Sequence, residues 1–269
     1  MIAIDSKFTG SIPEIYDNIL VPLIFKPYAN ELADRLAKLK PASILETAAG
    51  TGAVTRAMAA KLPAEVRITA TDLNQPMLDR AMSKMPGEKR VTWQQADAQA
   101  LPFKDQSFDA VVCQFGVMFF PDKAKGYTEA RRVLKPGKTF LFDVWDRLSE
   151  NAFVDVINEC LAQVFPDNPT AFMARTPHGY YDVEQISREL KSAGFSAVNP
   201  ETITHMAHAK SATDAATAYC QGTPLRSEIE QRGGDLEKVT RTVADALAKK
   251  FGSGAIEGQI RAHVISAVR

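Results

Sequence analysis

Between residues 43 and 146, short apolar runs alternate with amphipathic segments. Apolar residues at helical spacing follow the first, second and fourth of these runs, which are "SILET", "VRITATD", "VTWQQAD", "FDAVVCQFGVMFF" and "TFLFDVWD". This order is typical of parallel strands joined by helical crossovers. The sequence therefore predicts a doubly wound α/β fold with a mostly parallel sheet.

The flanking segments extend this fold. Asn30 is a candidate N-cap for a helix through "ELADRLAKL", and "DVEQISRELKSAGF" reads as a helix that Gly194 ends. "AVNPETITHMAHA" fits a strand, and "GQIRAHVISAV" fits either a strand or a helix; as strands, the two complete a seven-stranded sheet. We expect an N-terminal lid (1–29), a ligand-binding core (30–146), a helical cap (147–181) and a C-terminal completion of the sheet (182–269).

Composition narrows the class of partner. The 269 residues include 32 Lys and Arg against 32 Asp and Glu, so no net charge attracts nucleic acid, and a small-molecule partner is expected. The three cysteines form no C-x-x-C pair, which argues against a structural metal site or disulfides and favours the cytoplasm. No stretch has the length of a membrane span or the pattern of a signal peptide. The sequence leaves open whether the chain forms a homodimer.

The loop in "ILETAAGTG" is the expected binding site, because ligands of such folds lie at the carboxyl ends of the strands. Gly50 and Gly52 allow a tight turn into a helix, but the third small residue of the nicotinamide fingerprint is missing. Glu46 lies at the loop entrance, where a carboxylate repels a pyrophosphate and suits an ammonium or sulfonium group. These features point to S-adenosylmethionine.

Two more acids end the next strands. Asp72 is placed to accept hydrogen bonds from a ribose diol, a feature that nicotinamide-binding chains share. Asp97 precedes Ala98, where a carboxylate and a backbone N–H can together bind adenine. Acidic ends on three successive strands favour an adenosyl ligand.

At these motifs the chain resembles the class I S-adenosylmethionine-dependent methyltransferases, in particular the group with the ubiquinone and menaquinone biosynthesis enzymes. The resemblance covers about residues 44 to 146, and Ala48 replaces the first glycine of the family's loop. It implies a Rossmann-like fold and an S-adenosylmethionine cofactor. The residues that it places around the cofactor are Glu46, Ala48, Gly50, Gly52, Asp72, Leu73, Met77, Asp97, Ala98, Gln114 and Phe115.

Methyl transfer depends mainly on holding the acceptor in line with the sulfur, and it needs a general base only where the acceptor arrives protonated. Aromatic faces also stabilise a sulfonium. We expect Tyr16 to lie nearest the cofactor as part of the lid. The other candidate rings are Phe25, Tyr28, Phe115, Phe119 and Phe120.

No catalytic residue is assigned. His178 and Arg175, both in the cap, are candidates for contacting the acceptor, but a surface histidine and a solvated arginine are the favoured interpretations. Cys113 is expected in the core.

The sequence thus predicts methyl transfer to a small or medium-sized, aromatic or lipophilic acceptor. A cofactor-binding protein without activity remains an alternative. An NAD-dependent oxidoreductase is less favoured because the chain shows no Tyr-x-x-x-Lys set or other hydride-transfer apparatus.

Overall fold

A computed structural model describes residues 5–269, and these contain a seven-stranded sheet in the order β3-β2-β1-β4-β5-β7-β6. The strands are β1 Ser43–Glu46, β2 Arg67–Asp72, β3 Val91–Gln95, β4 Phe108–Gln114, β5 Leu134–Trp145, β6 Ser196–Ala209 and β7 Ile256–Val268. Strands β1 to β5 pair in parallel. The backbone N–H groups of Arg269 and Asp146 donate to Lys138 and Arg261, so β7 runs antiparallel to β5. The predicted α/β fold with seven strands is confirmed.

Helices connect the strands. They are α1 Ile12–Ile15, α2 Lys26–Leu39, α3 Ala53–Lys61, α4 Gln75–Ser83, α5 Lys123–Val133, α6 Ala152–Val164, α7 Phe172–Arg175, α8 Val183–Ser192, α9 Ala212–Gln221, α10 Leu225–Gln231 and α11 Leu236–Phe251, with a π-helical segment at Tyr16–Phe25 and short 3₁₀ turns at Val117–Phe119 and Leu148–Glu150. Among residues 5–269, the helices are too short or too polar to serve as membrane spans.

Two details differ from the sequence-based expectations. Asn30 does not cap a helix but lies inside α2, because the apolar residues before it continue the helical backbone upstream to the π-helical segment. The fourth strand ends at Gln114 rather than running through "FGVMFF", because Phe115 turns into the left-handed region with φ of 48°. The last segment, left open between strand and helix, is the strand β7.

The described chain divides into two compact units. The first comprises the described residues up to Phe25, Trp145–Tyr180 and Thr204–Ala262, and in it α11 packs on α6 and α9. The second comprises Lys26–Val144, Tyr181–Ile203 and His263–Arg269. Its core joins α2 and α3 to one face of the parallel strands through Leu32, Leu36, Ile44, Val54, Met58, Ile68, Ala110, Val112 and Leu141. The division into lid, core, cap and C-terminal completion stays a prediction, and residues 1–4 of that lid lie outside the described chain.

Candidate cofactor site

The loop between β1 and α3 is built from left-handed backbone. Ala48, Gly50 and Gly52 have φ of 52°, 56° and 82°, a region that costs an alanine free energy and a glycine almost none. The N–H of Ala49 donates to Thr71 O at 2.8 Å, and the N–H of Gly52 donates to Ala49 O at 2.9 Å. The loop is therefore tightly turned, and Gly50 places no side chain between its backbone and a ligand.

Glu46 is buried at the end of β1, beneath the loop. Its Oε2 accepts a 2.5 Å hydrogen bond from the Thr55 hydroxyl at the start of α3. Burial raises the pKa of Glu46 to about 8, although the Thr55 bond and the charge of Arg56 act in the opposite direction and Asp72 adds to the rise. The carboxyl group is thus held ready to ionise when a cation comes near.

Asp72 joins the loop to the end of β2. Its Oδ2 accepts the N–H of Gly50 at 2.8 Å, and its Oδ1 accepts the N–H of Asn74 at 2.8 Å. Burial raises its pKa, and these bonds counteract the rise. Oδ1 also accepts a long 3.5 Å bond from the Asn74 side-chain amide. With about two lone pairs per oxygen, a diol can use the remaining capacity of Oδ2 and replace this weak bond at Oδ1.

The remaining predicted adenosine contacts lie at the ends of β2 and β3. Asp97 is exposed, and its Oδ1 accepts the N–H of Gln99 at 2.8 Å, which fixes the turn that contains half-buried Ala98. Leu73 is 50% exposed, whereas Met77 is buried in α4. An exposed leucine beside a strand end is free to pack on a ligand.

The turn after β4 packs on the loop after β1. Gly116 has no room for a side chain, because a Cβ there would lie 2.5 Å from the Cβ of Ala48. Half-buried Gln114 ends the strand before this turn, and the ring of Phe115 packs edge-on against Tyr28 with centroids 5.3 Å apart. The structure thus brings together the predicted residues of the β1, β2 and β4 ends.

Sequence reasoning missed Asp143 in β5. It is fully buried, its Oδ1 accepts the N–H of Phe115 at 2.7 Å, and burial raises its pKa well above the usual range. Its position two residues before the end of an apolar strand was the available signal. Cys113, in the neighbouring strand, lies in the core as predicted, and burial raises the pKa of its thiol to about 12.

The first unit carries a continuous run of rings. Phe8 contacts Tyr16 edge-on at 5.9 Å, Tyr16 stacks on Phe25 at 5.0 Å, Phe25 lies 6.0 Å from Trp145, and Trp145 lies 6.0 Å from His178, all measured between ring centroids. The covering of the cofactor by Tyr16 stays a prediction.

The favoured interpretations of two cap residues are wrong. His178 is not on the surface but buried, its Nδ1 lies 2.8 Å from Asp146 O, and burial lowers its pKa to about 4. Arg175 is not free in solvent but bridges the buried carboxylates of Asp5 and Glu228 at 2.6 and 2.7 Å. Both side chains therefore have structural partners.

Glu46→Gln tests the burial of the Glu46 carboxyl. The pKa of Glu46 rises from 4.5 to about 8 on folding, so the protonated form stabilises the fold fully below the lower value. That stability is lost as the pH rises through about 8. We expect the free energy of unfolding of the parent, relative to Glu46→Gln, to fall between about pH 5.5 and pH 8, by at most about 1.4 kcal/mol per pH unit. Urea unfolding of both proteins measures it; parallel pH profiles would contradict it.

Fold and loop define an open α/β protein whose candidate ligand site lies at the carboxyl ends of β1, β2 and β4. Comparison with known proteins agrees. Residues 44–137 match a family model described as a methyltransferase domain. The demethylmenaquinone methyltransferase of Clavibacter sepedonicus is 31% identical over 170 residues, which cover 60% of this chain and 68% of that protein.

Other relatives agree. The ubiquinone/menaquinone biosynthesis C-methyltransferase of Geobacter sp. (strain M21) is 31% identical over 60% of this chain and 72% of its own length. A phosphoethanolamine N-methyltransferase 2 of Haemonchus contortus, solved with S-adenosyl-L-methionine, shares the fold with a TM-score of 0.62 at 18% identity, covering 100% of this chain and 60% of that one.

The chain belongs to the S-adenosylmethionine-dependent methyltransferases, in the family of the menaquinone and ubiquinone biosynthesis enzymes. It is a transferase with S-adenosylmethionine as its cofactor. The described residues fit that cofactor: Gly50 adds no side chain to the loop, Asp72 keeps acceptor capacity, and the Thr51 hydroxyl in the loop is buried without a partner among the described residues.

Proposed function

We propose that this methyltransferase acts on a lipophilic aromatic acceptor of the quinol type. The observation that carries the proposal is the identity to enzymes named for demethylmenaquinone and ubiquinone/menaquinone, 31% over about two thirds of their length.

In this proposal the cofactor residues are the set predicted from the sequence. Asp72 binds the ribose diol, Asp97 and Ala98 bind adenine, and Leu73 packs on the base. Glu46 becomes ionised near the cationic end of the cofactor, because an opposite charge favours the charged form of a carboxyl group.

The bound cofactor supplies a methyl group on a positively charged sulfur. The protein's part is to hold the acceptor in line with that group, which contributes on the order of 7–11 kcal/mol in favourable cases. A carbon acceptor on a quinol ring also loses one proton, and water suffices to accept it where no side chain is placed to do so. We assign no general base.

Transfer of a labelled methyl group tests the acceptor class. The purified chain is incubated with S-adenosylmethionine and a demethylated menaquinol with a short prenyl tail, with phosphoethanolamine as the polar alternative and Asp72→Ala as the protein control. We expect methylation of the quinol and none of phosphoethanolamine. Methylation of phosphoethanolamine alone would contradict the proposed acceptor while leaving the family intact.

A further inference from the structure

The sheet order places two loops at one point. In the order β3-β2-β1-β4-β5, the chain leaves β1 for β2 on one side and later returns to β4 on the other. The strand order therefore reverses between β1 and β4, and ligands of open α/β sheets bind outside the strand ends at such a point. The loop at 47–52 and the turn at 115–116 flank it.

The proposed site also has a direction. Asp72 ends β2 and Asp97 lies two residues after β3, so the ribose and adenine lie on that side of β1 in the proposed function. An elongated cofactor then extends its methionyl end over the turn after β4. The shape of this turn decides how that end is held.

The turn is fixed from two sides. Gly116 lies directly against Ala48, since a Cβ on Gly116 would lie 2.5 Å from the Cβ of Ala48. Phe115 has φ of 48°, a region that non-glycine residues rarely adopt, so it needs stabilising contacts.

Asp143 supplies that contact. The strand register pairs it with Gln114, the residue before Phe115. Its Oδ1 accepts the N–H of Phe115 at 2.7 Å, and its Oδ2 is buried without a hydrogen-bond partner in the described chain. Burial raises the pKa of Asp143 well above its usual range, which favours the neutral carboxyl group. A neutral acceptor of this kind is reproduced by an asparagine side chain.

We propose that Asp143 is a positioning residue of this methyltransferase: it holds the Phe115–Gly116 turn against Ala48 and thereby shapes the methionyl end of the cofactor site. The proposal rests on the proposed placement of the cofactor. Asp143 acts through the backbone of Phe115 and does not itself touch the cofactor, because its free oxygen is closed off from solvent.

Two ligands separate this role from a general loss of structure. S-adenosylhomocysteine carries the amino-acid end, and 5′-methylthioadenosine lacks it. Asp143→Ala is expected to weaken the binding of S-adenosylhomocysteine by about tenfold, which corresponds to about 1.4 kcal/mol. The affinity for 5′-methylthioadenosine is expected to stay within about twofold of the parent's. Asp143→Asn is expected to bind both ligands like the parent. Calorimetry measures the affinity for S-adenosylhomocysteine, and competition against it measures the affinity for 5′-methylthioadenosine.

Three outcomes overturn the proposal. If Asp143→Ala binds both ligands more weakly by the same factor, the substitution causes a general defect of the site. Weak S-adenosylhomocysteine binding by Asp143→Asn means that an ionised carboxylate is needed. Failure of the parent to bind either ligand refutes the cofactor placement itself, and with it this proposal. Asp143→Leu fills the same space without an acceptor and gives the same comparison where Asp143→Ala does not fold.

Discussion

Asp72→Ala is expected to weaken binding of S-adenosylhomocysteine by about 100-fold or more. Hydrogen bonds to a charged group contribute about 1.5–3 kcal/mol each, and the proposed diol makes two of them, which gives at least about 3 kcal/mol. The substitution also removes the acceptor for the N–H of Gly50, so the loop after β1 loses a restraint. Calorimetry with purified protein measures the affinity.

Asp79→Ala is the matched control. Asp79 lies on α4, a few residues from Asp72, but it is exposed, and its side chain accepts a 2.7 Å bond from Gln75. We expect its affinity to equal that of the parent. Thermal unfolding of both variants shows whether the fold is kept; an affinity of Asp72→Ala within about threefold of the parent, in a folded protein, would contradict the ribose assignment.

The sheet was predictable where its pattern is local. Strands β1, β2 and β4 bury apolar residues in short runs, and the helices after them carry apolar residues at helical spacing, so the period identifies both. Strand β7 was left open because its centre is buried on both faces, from Ala262 to Ile265, and strict alternation is lost there.

Sequence position alone proposes Glu46, Asp72 and Asp97 for the candidate site, because acids at strand ends stand out from the pattern. Their contacts with the cofactor stay a prediction, and the contacts that shape the loops could not be predicted. Asp143 escaped because it lies inside an apolar run and reads as part of the strand, while its function in the fold depends on the left-handed backbone of Phe115. No sequence period encodes that contact.

The predictions for the two cap residues, Arg175 and His178, were wrong for a related reason. Arg175 finds its partner Asp5 170 residues away, and His178 meets the carbonyl of Asp146 32 residues away. An arginine or histidine in a polar segment carries no signal of such distant partners. Burial of charge is a property of the assembled fold.

Arg175→Met is therefore expected to destabilise the protein strongly. Arg175 donates to both oxygens of Asp5 and to Glu228, and the Thr176 hydroxyl donates to Asp5 at 2.6 Å. Asp5 and Glu228 are buried, so removing the guanidinium takes the nearest counter-charge from both carboxylates, while Arg232 stays 3.6 Å from Glu228. Breaking a buried pair in this way costs about 3–5 kcal/mol, and a chain of this size then loses roughly 6–12 °C in Tm at the lower figure.

Arg188→Met separates this effect from the loss of any arginine. Arg188 lies on α8 and is exposed, and its long 3.8 Å ion pair with Glu184 is weak. Its removal is therefore expected to cost at most about 0.5 kcal/mol. Adding Asp5→Asn and Glu228→Gln to Arg175→Met is expected to recover most of the lost stability, because neutral amides need no counter-charge. Urea unfolding of the four proteins measures this; equal losses for Arg175→Met and Arg188→Met would show that the carboxylates at Asp5 and Glu228 do not depend on Arg175.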